Sequence, residues 1–233
     1  MIFRSASAAV FLTKEAAERA EARHGSSISH AIYAGAEKKD CKAGYKKEDK
    51  CTIAHFGSLG GSRNLKATLA ALALLFKEDP GASKRLRLEL FGNNSREGKK
   101  EIKESGLEES VISHGKVRRD TALTRMHAAD VLLLIQNTDD VSFETIPSKT
   151  YEYMHTGRPV LALVYRNAEL EGMLKEQGHI VVQADDVASI KDGIKRYLEL
   201  WDENRLAATT KDSPYTVERA VGELIALAGS VAE

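Results

Sequence analysis

Apolar residues along this chain collect in short runs, separated by longer stretches in which they recur every three or four positions. The runs are "AAVFLT" (8–13), "HAIYAG" (30–35), "TIAHFGSL" (52–59), "RLRLELFG" (85–92), "SVISHGKV" (110–117), "VLLLIQ" (131–136), "RPVLALVY" (158–165) and "HIVVQ" (179–183). Their length suits strands, and several stop at a glycine. Between them lie helix patterns. "KEAAERAEARHG" is rich in helix formers, with Gly25 placed to end it. "NLKATLAALALLFKED" puts Leu65, Leu69, Leu72 and Phe76 on one face, and Pro80-Gly81 stops it. "REGKKEIKESG" follows, then a helix opened by Asp120 or Thr121, then "AELEGMLKEQG", "VASIKDGIKRYLELW" and the amphipathic tail 215–233.

Strands alternating with helices of about ten to fifteen residues predict an α/β protein built of βαβ units around a parallel sheet. Strands this uniformly apolar predict a sheet with helices on both faces. The stretch 36–50, "AEKKDCKAGYKKEDK", is charged and aperiodic and reads as a linker or exposed loop. Lys plus Arg and Asp plus Glu both total 34, so the chain lacks the basic excess of a dedicated nucleic-acid binder. No apolar run approaches the roughly 20 residues that span a bilayer, and the N-terminus lacks the charged start and long apolar core of a signal peptide. A cytoplasmic chain is the expectation. The two cysteines, Cys41 and Cys51, are then expected as free thiols. No CxxC or HxxxH spacing exists, so no metal site is expected.

Parallel sheets bind ligands at the carboxyl ends of their strands. Three loops there stand out. In "FGSLGGSRNLK", Gly57, Gly60 and Gly61 permit tight turns, and Arg63 precedes a helix whose free amides attract anions. The same loop reads equally as a plain connector. "FGNNSREG" reads as turn chemistry, with Gly92 giving a ligand room at most. In "ETIPSKTYEYMHTGRPVLALV" (144–164), Ser148 is a good N-cap, and Lys149 adds charge at the positive end of the helix dipole. Glu152 stands one turn in, and helical side chains lean back toward the N-terminus. The capping box would use Tyr151 and so leaves Glu152 unexplained. Glu144, in the irregular loop before the helix, can reach the same cavity. Both glutamates also read as ordinary surface acids. The histidines, Tyr197 and Trp201 are read as structural.

The segment from Glu144 to Leu163 resembles the E-x7-E segment of the large retaining glycosyltransferase family with the GT-B fold, often called family 4. The matching positions are Glu144, Glu152, Met154, Gly157, Arg158, Pro159 and Val160. Gly57 and Arg63 resemble the glycine and the cation, six residues on, that grip the donor diphosphate. "SHGKV", ending at Val117, resembles the segment whose backbone touches the base, and "AADVLLLIQ" the strand before the E-x7-E loop. The likeness runs from about residue 52 to about 200. Departures are Ser58 after the first glycine, Thr145 after the first glutamate, and Pro147-Ser148-Lys149 in place of the usual turn.

The resemblance implies a Rossmann-like sheet forming the C-terminal half of a GT-B fold. It implies residues 1–36 as a remnant of the N-terminal domain and the crossover, and 37–51 as a charged linker. Residues 52–212 would be the nucleotide-sugar-binding domain, and 213–233 a helix that packs on the N-terminal domain. The implied reaction is transfer of a sugar from a nucleoside diphosphate to a carbohydrate or lipid-linked acceptor hydroxyl, with retention, in cell-envelope or polysaccharide synthesis. Arg63 and Lys149 would hold the diphosphate with Gly57, Pro147 and Ser148, and Glu152 the ribose. Glu144, the catalytic candidate, would face the donor sugar. No metal or other cofactor is required, and peripheral membrane association of a full-length protein fits. With the N-terminal domain missing, the chain alone is expected to be inactive. The apolar faces of the first helix and the tail are expected to be buried, another copy being one cover. A non-catalytic nucleotide-sugar-binding module and a sugar-nucleotide epimerase are the competing readings.

Overall fold

The computed structural model of the protein describes residues 5–25, 27–38, 45–206 and 212–232. Residues 39–44 of the charged stretch, Cys41 among them, lie outside the described residues. A small unit comes first: β1 (Ala9–Phe11) and β2 (Ser29–Ala31) pair in parallel, joined by α1 (Lys14–His24). Thr13 caps α1 by accepting from the Ala16 amide, and Gly25 ends it at φ 62°.

The main unit is a parallel sheet of β3 (Cys51–Phe56), β4 (Leu86–Phe91), β5 (Val111–Gly115), β6 (Val131–Ile135), β7 (Val160–Val164) and β8 (Ile180–Gln183). Its order is β5-β4-β3-β6-β7-β8. The chain winds outward from β3 in one direction, returns, and winds outward from β6 in the other. Helices α2 (Lys66–Glu78), α4 (Arg96–Ser105) and α8 (Val187–Asp202) cover one face; α5 (Arg119–Ala128), α6 (Lys149–Met154) and α7 (Ala168–Glu176) lie on the other. The strand residues divide strictly by parity. Val131, Leu133 and Ile135 join the core under α2 and α8, whereas Leu132 and Leu134 join the core under α5 to α7. Side chains alternate across a strand, so a strand buried on both faces must be apolar at every position.

Details differ from the sequence reading. A one-turn helix, α3 (Ala82–Arg85), follows Pro80-Gly81. Helix α5 starts at Arg119, ahead of Asp120. On α2, Leu75 joins the buried face, and Phe76 packs against it half-buried. Arg158, part of the E-x7-E segment, is buried at the amino-terminal ends of β6 and β7. It donates to the Ala129 and Asp130 carbonyls at 2.8 and 3.1 Å and lies 3.7 Å from the Tyr45 ring centre. The final helix, α9 (Val217–Ser230), buries none of its residues, and Val221, Leu224 and Ile225 stay exposed. Within the single chain, by contrast, α1 buries Ala17 and Ala20. Cys51 is a buried free thiol.

Tyr197 pins α8 to the sheet, donating to the Val160 carbonyl at 3.0 Å and accepting from the Ile180 amide at 3.1 Å. Tyr197→Phe strands both groups. It is expected to cost about 1–3 kcal/mol, measured as a lower urea midpoint with unchanged slope.

Candidate functional site

The order of strands reverses between β3 and β6, and the crevice beyond their carboxyl ends is where doubly wound sheets take ligands. Here these two strands also part early. Their registered pairs are Ile53 with Val131 and Ala54 with Leu132. Beyond them side chains take over. The Phe56 amide donates to the Tyr153 hydroxyl of α6 at 2.9 Å, and His55 Nδ1 lies 2.9 Å from the Leu133 carbonyl. Tyr153 is fully buried, so α6 is held against the end of β3.

Two glycines shape the loop after β3. Gly57 has φ 143°, and its amide donates to the Phe91 carbonyl at 2.8 Å. Gly92 has φ 140°, and a Cβ there would stand 2.2 Å from the Gly57 carbonyl oxygen. Gly92 therefore makes room for Gly57 rather than for a ligand, as the sequence reading had it. The loop is then tied to the one after β6. Ser62 Oγ donates to Asp139 Oδ2 at 2.9 Å, and Thr138 Oγ1 to the Ser62 carbonyl at 3.1 Å. With Asn137 and Ser142 also donating to it, the Asp139 carboxyl is held down to about 2.

Arg63 closes the first loop. Its side chain is half-buried, its Nε has no partner, and it forms no ion pair among the described residues. Lys149 opens α6, with Cε 3.3 Å from where a Gly57 side chain would begin. The positive charges of Arg63 and Lys149 both act on His55. Glu152 sits between two cations, 3.5 Å from Lys149 Nζ and 3.0 Å from Arg119 Nη2. Ser148, Lys149 and Glu152 line a cavity of about 420 Å³, together with Arg119, His127 and His155. Arg119 was missed in the sequence because the helix start was placed one residue beyond it.

Other expected residues stand differently. Ser148 is exposed, already helical at φ -55° and ψ -30°, and its hydroxyl caps nothing. The first turn closes instead through the Pro147 and Ser148 carbonyls, which accept from the Thr150 and Tyr151 amides. These three-residue steps are tighter than an α-turn and leave no place for a capping side chain. Half-buried Val117 packs on the core under α5 to α7. Glu144 does not line the cavity. It ends a 3₁₀ turn (Ser142–Glu144) held by Gln136 and Asn167, each donating to the Ser142 and Thr145 carbonyls. That turn faces α1. The Glu144 carbonyl accepts from Thr13 Oγ1 at 2.8 Å, and its Oε2 is 3.8 Å from Arg19 Nε. Among the described residues no cluster of three or more His, Cys, Asp or Glu could hold a metal, and no helix is long and apolar enough to cross a membrane.

A doubly wound six-stranded sheet with a glycine-rich switch-point loop is the architecture of one half of a GT-B glycosyltransferase, and the comparisons agree. The chain aligns with a TarM variant of S. aureus in complex with fondaparinux, alpha-GlcNAc-glycerol and UDP at TM-score 0.73 and 14% identity, covering 97% of this chain and 44% of TarM. HepE of Anabaena in complex with UDP aligns at TM-score 0.73 and 17% identity, covering 98% of this chain and 65% of HepE. The pneumococcal O-GlcNAc transferase GtfA, in complex with UDP and GlcNAc, aligns at TM-score 0.70 and 14% identity, covering 96% and 45%. The chain thus spans 44–65% of the length of these structures, and the likeness establishes the fold. Residues 50–200 match the family described as Glycosyl transferases group 1, and the chain belongs to that family. No curated protein matches its sequence.

Two outcomes follow from this geometry. Gly92→Ala is expected to destabilise the protein by about 1–3 kcal/mol from backbone strain alone, with the clash on Gly57 added, read as a lowered thermal midpoint. Burial holds His55 and His179 well below the usual imidazole range, at about 4 each. The unfolded chain therefore binds more protons than the folded one between pH 6.5 and 4. Stability should fall as pH falls through that window, by up to about 1.4 kcal/mol per pH unit for each histidine. Urea midpoints at successive pH values measure it, and His179→Phe should flatten the slope.

Proposed function

We propose that the chain is the donor-binding portion of a glycosyltransferase that moves a sugar from a nucleoside diphosphate to an acceptor hydroxyl with retention. The observation that carries this reading is that the charges of Arg63, whose Nε is unpartnered, and of Lys149 both act on His55 at the switch-point crevice. Fixed cations where a diphosphate leaves stabilise the charge that builds as the glycosidic bond breaks. The start of α6 adds the Ser148 and Lys149 amides, and Gly57 lets the ligand approach the backbone. No metal is needed in this scheme. Glu152 accepts from the ribose hydroxyls, exchanging Arg119 for them, and the backbone at Val117 meets the base. Glu144 faces the donor sugar once its long contact with Arg19 opens.

The acceptor would be a carbohydrate or lipid-linked hydroxyl, held by a second domain seated on α1 and α9. By itself this chain would then bind donor without turnover. A role in cell-envelope or polysaccharide synthesis at the cytoplasmic side of a membrane fits such an acceptor. The engagement of Glu144 by Arg19 favours one second reading, a nucleotide-sugar-binding module without catalysis.

Calorimetric titration with UDP, GDP and ADP, without and then with magnesium, tests the proposal. One nucleotide should bind without metal. Arg63→Ala and Glu152→Ala should each weaken it by about tenfold or more, as for hydrogen bonds to charged groups. Binding that requires magnesium, or that survives both substitutions, would refute the assignment.

A further inference from the structure

His55 has no role in the scheme above, yet its environment is unusual. The residue is 4% exposed on β3, two positions before Gly57. A carbonyl can only accept, so the 2.9 Å contact with the Leu133 oxygen puts the proton on Nδ1. Nε2 is left with a lone pair that has no partner and no contact with solvent. A buried acceptor without a donor is costly, and such atoms call for an explanation. The ring stays neutral at physiological pH, because burial and the nearby Arg63 and Lys149 charges hold it near 4.

The atoms next to Nε2 identify its donor. The point where a Gly57 side chain would begin is 3.6 Å from His55 Nε2 and 3.3 Å from Lys149 Cε. The absent side chain thus leaves open space between the imidazole and the end of Lys149, which a turn of the lysine can cross. Lys149 Nζ lies 3.5 Å from Glu152 Oε2, longer than a good hydrogen bond, so the ammonium is held loosely.

We propose that His55 is a positioning residue for Lys149, its Nε2 accepting one N–H of the ammonium when Lys149 turns from Glu152 toward a diphosphate. This rests on the reading of Lys149 as a diphosphate cation. In the free protein Glu152 neutralises Lys149. When ribose hydroxyls claim Glu152, the ammonium is released, and His55 takes one of its three N–H bonds. The other two then face the phosphate oxygens from a fixed position. A neutral acceptor suits this task, since a carboxylate there would cancel the charge the diphosphate needs.

A pair of substitutions separates the two sides of the ring. His55→Asn keeps an N–H for the Leu133 carbonyl and removes the distal acceptor; His55→Gln places an acceptor near the position of Nε2. UDP is titrated into the wild type, both variants, Lys149→Ala and the double variant His55→Asn/Lys149→Ala. His55→Asn should weaken UDP by about tenfold, His55→Gln should recover most of that loss, and His55→Asn should add nothing once Lys149 is gone. Wild-type affinity in His55→Asn, or additive losses in the double variant, overturns the inference. A second measurement needs no nucleotide. In the Glu152→Gln protein Lys149 has lost its carboxylate, so its side-chain ¹³Cε resonance, assigned by its loss in Lys149→Ala, should move when His55→Asn is added. An unmoved resonance also overturns the inference. If the wild type binds no nucleoside diphosphate, the functional reading fails alone, and the resonance still decides whether His55 touches Lys149.

Discussion

The early parting of β3 and β6 is the constraint on which the rest of the site depends. A doubly wound sheet must open where its strand order reverses, and the backbone groups exposed there are still buried and still need partners. This chain meets the need with side chains. Tyr153 takes the Phe56 amide, and His55 takes the Leu133 carbonyl. Tyr153 can do so only if α6 lies against the end of β3, which sets the start of α6 beside Gly57. Lys149 then overlies a residue with no side chain, and Glu152 faces the cavity one turn later. One hydrogen-bonding requirement thus positions both a cation and a carboxylate.

The rigidity of the surrounding loops follows from a second set of polar contacts. Gln136 and Asn167 reach the same two carbonyls, those of Ser142 and Thr145, from different elements. Asp139 receives three side-chain donors, from Ser62, Asn137 and Ser142, which keep the carboxylate ionised and fix it within the loop. Arg63 forms no ion pair among the described residues, and its charge acts at the crevice on His55. A preorganised field of that kind acts on a developing charge without reorganising first.

The small N-terminal unit is joined to the sheet chiefly through polar groups. Glu169 of α7 accepts from the Lys14 and Glu15 amides at the start of α1 and from the Tyr33 hydroxyl. The 3₁₀ turn carrying Glu144 meets Thr13 and Arg19. Polar, modest contacts of this kind suit parts that move relative to each other. They also explain why Glu144 and Glu152, eight positions apart, report to different neighbours. One side of the E-x7-E segment answers to α1 and the other to the cavity.

Much of the fold was legible along the chain. The apolar runs marked the strands, most plainly β6 and β7, where burial on both faces goes with apolar residues at each position. Helix stops such as Gly25 and Gly106 showed because only glycine enters the left-handed region cheaply. Among the candidate site residues, Gly57 and Arg63 stand out in the glycine-rich loop after β3, and Lys149 and Glu152 in the first turn of α6, where local pattern does not account for them. Arg119, Asp139 and His55 could not, since their neighbours are 33, 77 and 94 positions away. Nor could the sequence alone show that Arg158 serves the amino-terminal ends of the strands, or that Ser148 caps nothing. Local pattern determined the elements and their order, because propensity and amphipathicity act over a few residues. Only the tertiary structure decided which charges meet and which are spent, because that depends on contacts between elements distant in the chain.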